Sequence, residues 1–213
     1  MNKGFFVTFE GGDGAGKSTQ IHLLKEYLQE QGCDVLLTRE PGGTQISEKI
    51  RGILLDPQNG EMEPQTELML YAAARAQLVA EVIQPALQAG TIVICDRFLD
   101  SSLAYQAYGR NLGEAVLQVN QYAVRGCMPD VTIYLRVAPE TGRQRIGTRE
   151  QDRIESESEQ FHRRVYEGYE ALARIYPERI VTVDAAGTIE EIEQTIRAEV
   201  MNRIHAVSGG NRK

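Results

Sequence analysis

Gly11, Gly16, Lys17 and Ser18 stand in the spacing G-x-x-x-x-G-K-[ST], with Thr19 directly after. The pattern makes a phosphate cradle when an apolar strand precedes it and an amphipathic helix follows. Both flanks are present: Phe5-Phe6-Val7-Thr8-Phe9-Glu10 before it, and Ile21, Leu24 and Leu28 at helical spacing after it. Glycines let the backbone curl so that successive N–H groups face a polyphosphate, and the helix N-terminus adds its partial positive charge. The expected donor-phosphate site is therefore Gly11, Gly12, Asp13, Gly14, Ala15, Gly16, Lys17, Ser18 and Thr19. Lys17 would give a point charge to the terminal phosphates, and Ser18 a hydroxyl to magnesium. A second magnesium group is expected at Asp96, which the apolar run Thr91-Ile92-Val93-Ile94-Cys95 delivers at a strand end.

Transfer of a phosphoryl group leaves the protein to align donor and acceptor and to neutralise charge on the moving group. Arginine suits that work, because its planar fork pairs two phosphate oxygens and stays charged. Arg39 and Arg97 lie at predicted strand ends, and Arg51 and Arg75 project from nearby helices. Arg143, Arg145, Arg149 and Arg153 crowd one segment that also holds Gly142 and Gly147, the composition of a lid over about 142–155 that closes on the donor.

To bring these residues together the chain needs a sheet whose strand ends share one edge. Strands are predicted at 5–10, 33–38, 91–95, 130–137 and 180–183, interleaved with helices. That alternation predicts right-handed crossovers and an α/β fold, a five-stranded parallel sheet covered by helices on both faces, with ligands at the carboxyl edge. A helix over 46–55 carries Arg51. A long helix over 64–89 is apolar nearly all round, which predicts a second buried face and a homodimer, and Pro85 is expected to kink or break it. Further helices are expected over 113–125 and 139–146. Ser156-x-x-Glu159 and Thr188-x-x-Glu191 have capping-box form and are expected to open the last two helices.

The 213 residues, 42% hydrophobic and 25% charged, suit one core, and a single domain over 1–207 with a frayed tail at 208–213 is expected. A net charge of −7 argues against nucleic acid and anionic membranes as partners, so phosphate must be held by locally focused cations. Cys33, Cys95 and Cys127 form no C-x-x-C pair, and His22, His162 and His205 have no metal-ligand spacing. With no apolar run long enough to span a bilayer, a cytoplasmic enzyme is expected.

Several separated stretches resemble the bacterial thymidylate kinase (dTMP kinase) family. They are the loop from Phe9 to Thr19, Thr38-Arg39-Glu40-Pro41-Gly42-Gly43-Thr44, Tyr71-Ala72-Ala73-Ala74-Arg75, Asp96-Arg97-Phe98-Leu99-Asp100-Ser101-Ser102-Leu103-Ala104-Tyr105-Gln106 and Asp152-Arg153-Ile154-Glu155. The resemblance implies a three-layer P-loop NTPase sandwich, usually a homodimer, that moves the ATP γ-phosphoryl group to dTMP with Mg2+. It puts Arg39 and Arg97 on the acceptor phosphate, with Glu40 ordering that side and Arg51 nearby. Tyr71 would stack on thymine, Arg75 would reach a thymine carbonyl, Ser102 and Gln106 would meet the base, and Tyr105 would lie under the sugar. Tyr71 read alone is equally a core aromatic, and Ser102 a helix cap. Because Gly14 occupies a loop position where some members carry arginine, the resemblance points to Arg153, then Arg149, as the transition-state cation, with Arg143 on ATP. Another P-loop nucleoside or nucleotide kinase, and an ATPase switch, are the rival readings.

Overall fold

The structure, a computed structural model, describes residues 4–147 and 150–209. In chain order its elements are β1 (Phe5–Glu10), α1 (Lys17–Glu30), β2 (Val35–Arg39), α2 (Gln45–Leu55), α3 (Pro64–Leu78), α4 (Gln84–Gln88), β3 (Ile92–Asp96), α5 (Leu99–Ser102), α6 (Ala115–Val124), β4 (Val131–Arg136), α7 (Pro139–Ile146), α8 (Glu159–Ile175), β5 (Ile180–Asp184) and α9 (Ile189–Gly209). The strands form one parallel sheet in the order β2-β3-β1-β4-β5. Each predicted strand is present within two residues of its expected ends.

Every residue of β1 is buried, so both faces of the strand need cover. Phe5, Val7 and Phe9 enter one apolar cluster with Leu24 and Leu28 of α1 and Ile196 and Val200 of α9. Phe6 enters the other, with Leu68 and Leu78 of α3, Val116 of α6, and Phe161 and Val165 of α8. By the two-residue period, Thr8 and Glu10 share the Phe6 face and point toward α8 as buried polar groups. The register sets Asp96 beside Phe9 on one side and Arg39 on the other, which brings the end of β3 against the start of the phosphate loop.

Two local expectations are corrected. Pro85 does not break the long helix: α3 continues through a π-helical segment, Val79–Ile83, into α4, all in right-handed helical conformation. The wider turn ahead of Pro85 relieves the clash between its ring and the preceding turn. Ser156 does not open α8, because its hydroxyl donates to the Arg153 carbonyl; Ser158 caps that helix and accepts from the Phe161 amide at 3.2 Å. Helix α9 runs through Gly209, and positions 210–213 of the expected tail lie outside the described residues. Thr188 and Glu191 do form the predicted reciprocal box at the start of α9, at 2.9 and 3.2 Å.

A second π-helical segment, Leu103–Gly109, continues α5 and lies against α8. Gly109 is needed there, since a Cβ would come within 2.8 Å of the Phe161 ring and 3.0 Å of Val165. Gly109→Ala should lower stability by roughly 1–3 kcal/mol through overpacking, read as the shift in a urea unfolding midpoint. An unchanged midpoint would show that α8 can move aside.

Candidate functional site

The phosphate loop is built as its glycines require. Gly11, at φ 136°, passes so close to β4 that a Cβ would sit 2.5 Å from the Leu135 carbonyl, and Gly16 precedes α1 in the left-handed conformation. No acidic side chain occupies the first turn of α1 and no side chain caps it, which leaves that end for an anion. The Lys17 ammonium lies inside the loop and donates to the Gly11 and Gly12 carbonyls, each at 3.0 Å. Burial, then the Arg97 guanidinium, push its pKa down to about 8, against the pull of Asp13, Asp96 and Glu10. Lys17, Ser18, Asp96, Arg97 and Arg145 line an open groove of about 780 Å³ over the loop.

Magnesium fits the residues present there. Asp96 keeps a buried carboxylate oxygen, Oδ1, with no hydrogen-bond partner, and shares the groove with Ser18. Among the described residues no group of three or more acidic, histidine or cysteine side chains could hold a metal. Magnesium bound beside phosphates needs only one or two protein groups.

Arg97 adopts φ 70°, a strained conformation for a non-glycine residue, and this turns its side chain back over the loop. There it pairs with Asp13 at 2.5 Å, donates to the Gly11 carbonyl at 3.1 Å and lies over the Tyr105 ring. Beneath it Glu10 accepts from the Phe98 amide, the Ser101 hydroxyl and the Tyr169 hydroxyl at 2.6–2.9 Å. Burial, then the Asp100 carboxylate, push Glu10 up from its ordinary 4.5 to about 7. Sequence reading gave Glu10, Ser101 and Tyr169 no role. The period-two pattern of β1 does put Glu10 on the α8 face, but nothing local announces a partner on α8.

A second cavity, about 160 Å³, adjoins the groove and contains Glu40, Arg51, Tyr71, Arg75, Arg97, Ser102, Tyr105 and Gln106, so most of the expected acceptor residues do come together. Arg51 donates to the Pro41 carbonyl at 2.8 Å and, like Arg97 and Asp13, lines both spaces. Arg75 is fully buried, and its N–H groups already serve Glu40, Ser102, Asn120 and the Phe98 carbonyl. A guanidinium has five such donors, so Arg75 has none left over for a base carbonyl and instead orders its neighbours.

The remaining arginines divide differently from expectation. Arg39 is half exposed, pairs with Glu48 at 2.9 Å and lies outside the acceptor cavity, because its strand position turns it toward α2. Arg143 pairs with Glu159 and lines a third hollow, between α7 and α8, which borders the phosphate loop at Gly12 and Asp13. Arg153 is buried away from the phosphate groove, donating to the Leu54 carbonyl at 2.7 Å and pairing with Glu67 at 2.8 Å. Arg149 lies outside the described residues. It is Arg145 that reaches the donor side, donating to the Ala185 carbonyl at 2.9 Å and to Gly14 at 3.5 Å.

A parallel sheet with a glycine-built anion loop at its carboxyl edge, next to a cavity that shares cations with that loop, defines a P-loop nucleotide-binding protein. The thymidylate kinase family model matches residues 9–196. A thymidylate kinase of Oceanobacillus iheyensis is 50% identical over 195 residues, covering 90% of this chain and 87% of that protein. One from Geobacillus sp. is 50% identical over 206 residues, covering 95% and 98%. A crystal structure of thymidylate kinase from Ehrlichia chaffeensis superposes with a TM-score of 0.75 at 32% identity, covering 93% of this chain and 99% of that one. The chain belongs to the thymidylate kinase family.

Glu10 makes the site's cost in stability measurable. Its folded pKa lies above its unfolded value, so the folded state binds the extra proton between pH 4.5 and about 7. The stability this proton gives is fully present below pH 4.5 and is lost as pH rises through about 7. The unfolding free energy of the wild type minus that of Glu10→Gln should fall by up to about 3 kcal/mol across that window and be flat above it. A pH-independent difference would remove Glu10 as the titrating group.

Proposed function

We propose that the chain transfers the γ-phosphoryl group of ATP to the 5′-phosphate of dTMP, giving dTDP and ADP, as a cytoplasmic homodimer. The observation that carries this reading is the sharing of Asp13, Arg51 and Arg97 between the phosphate groove and the adjoining cavity. A donor in one space and an acceptor in the other meet at those side chains. Arg97 and Arg51 would draw in the acceptor phosphate, and Lys17 would follow the moving group. Magnesium, held by Ser18 and Asp96, would withdraw charge from the donor phosphates. Arg145, at the β5 side of the groove, is assigned to the donor. Helix α7 sits over the loop, with Gly142 so close to Asp13 that no Cβ fits, which supports exclusion of water above the phosphates.

In the acceptor cavity Tyr71 is assigned to the face of thymine, Ser102 and Gln106 to its edge, and Tyr105 to the sugar. Glu40 and Arg75, paired with each other within that lining, hold the wall in place. The dimer reading rests on α3 and α6, which pack together and leave Met69 and Tyr122 uncovered. Among the described residues no helix is long and apolar enough to cross a membrane, and the cysteines are free.

ADP release from Mg-ATP should be fastest with dTMP when dUMP, dCMP, dAMP, dGMP and thymidine are compared at equal concentration. Preference for another acceptor would overturn the base assignments, and ADP release without any acceptor would favour an ATPase. Asp96→Asn and Lys17→Ala should each lower kcat by roughly a hundredfold or more, and light scattering should give the mass of two chains.

A further inference from the structure

Glu67, Tyr71 and Arg75 are spaced i, i+4, i+8 along α3 and so lie on one face. Opposite them, Ser102 and Gln106 are likewise i, i+4, at the end of α5 and in the π-helical segment that continues it. The bonds between the two faces run in matched pairs. The Glu67 carboxylate accepts from the Gln106 amide nitrogen at 2.8 Å, and Arg75 Nη1 donates to the Ser102 hydroxyl at 2.9 Å. Tyr71, Ser102 and Gln106 all line the acceptor cavity, whereas Glu67 lies behind that wall.

The Glu67 pair settles a polarity. Glu67 is fully buried among cations: Arg110 donates to it at 2.8 and 3.2 Å, and Arg153 pairs with it at 2.8 Å. Despite burial, Arg110, with Gln106 and Arg153, holds its carboxyl below the ordinary range. An ionised carboxylate can only accept, so Gln106 must turn its NH2 toward Glu67, and its amide oxygen is left for the cavity. The Ser102 oxygen takes a hydrogen from Arg75, which leaves it one O–H and one lone pair, so Ser102 can still donate or accept.

We infer that Glu67 is a positioning residue that locks the Gln106 carboxamide oxygen-inward, so that the wall of the cavity presents a hydrogen-bond acceptor at Gln106. That acceptor matches the ring N–H of a pyrimidine imide, thymine or uracil. It opposes cytosine, which offers a bare ring nitrogen at the same place. The inference rests on the acceptor cavity proposed above and deepens it. Arg153, whose amide donates to the Leu55 carbonyl at 3.1 Å, and Arg110, which pairs with Glu157, also tie the segment around 153–157 to the same carboxylate. The group that orients the base-reading amide is thus bonded to a segment whose Asp152, Ile154 and Glu155 line the same cavity.

The first test needs no variant. 5-Methyl-dCMP has the methyl, sugar and phosphate of dTMP and differs only on the ring edge in question. The wild type should use it with kcat/KM at least about a hundredfold below that for dTMP, because a mismatched buried hydrogen-bond edge is rejected strongly. Glu67→Gln can accept or donate and frees the Gln106 amide to rotate; it should reduce this discrimination about tenfold or more while leaving KM for ATP unchanged. In a Gln106→Ala background the same change should not alter the discrimination further. Equal loss on both acceptors with an unchanged ratio would make Glu67 a scaffold residue and overturn the inference, as would an effect of Glu67→Gln that persists without Gln106. Should Glu67→Gln fail to fold, wild-type turnover of 5-methyl-dCMP equal to that of dTMP still overturns it. No turnover of dTMP at all would overturn the functional reading beneath it.

Discussion

Arg97 is held over the phosphate loop by a left-handed backbone turn, and much of the site depends on that placement. A chain with net charge −7 repels a polyphosphate at long range, so binding requires cations concentrated where the anion lands. Concentrated cations repel one another, as the depressed pKa of Lys17 records, with Arg97 the main cause after burial. The protein's answer is Asp13, which pairs with Arg97 at 2.5 Å and also helps keep Lys17 protonated. Arg97 and Lys17 hold the Asp13 carboxyl below its usual range even though burial works against them. Glu10 completes the arrangement from below by fixing the Phe98 amide and Ser101, the residues that flank the turn.

The same economy of partners shapes the acceptor side. Buried polar groups seek partners, and the buried Arg75 guanidinium finds them in Glu40 and Ser102 of the cavity wall and in Asn120. A guanidinium whose donors are all engaged is rigid, and rigidity behind the wall fixes what the wall presents. Recognition by such a cavity comes less from the residues nearest the ligand than from the groups that have already used up their other hydrogen bonds.

The sheet was legible because parallel strands buried on both faces write themselves as apolar runs, and the phosphate loop because its glycines, Lys17 and Ser18 must fall at fixed spacing. The cap at Thr188 was legible and the cap at Ser158 was not, since two serines stood within reach and tertiary contacts of Arg153 took one of them. Pro85 misled because its effect depends on how the preceding turn is wound, which the π-helical segment decides. Arg39, Arg143 and Arg153 carry the right chemistry for phosphate, but the sequence does not display the acids that engage them. Glu10 meets Tyr169 across 159 residues and Glu67 meets Arg110 across 43, separations over which no local pattern carries information.

What holds each cation in the structure indicates which of them a phosphate can recruit. Lys17, Arg51 and Arg145 are tethered to backbone carbonyls, at Gly11 and Gly12, Pro41, and Ala185 and Gly14 respectively. Exchange of a neutral carbonyl for a phosphate oxygen gains a charge-assisted bond and strands no buried charge. Arg153 is the opposite case, because leaving Glu67 would expose a buried carboxylate to the loss of an ion-pair partner. Arg39 and Arg143 are intermediate: their partners Glu48 and Glu159 are well exposed, and surface pairs of that kind contribute little. Release from those partners is therefore easy, but neither side chain faces the space where the cavity and the groove meet. Arg97 combines both kinds of tether, a carboxylate at Asp13 and a carbonyl at Gly11. It can turn one edge of its fork to an arriving phosphate while the other stays with Asp13, which keeps the cation in register as the anion binds.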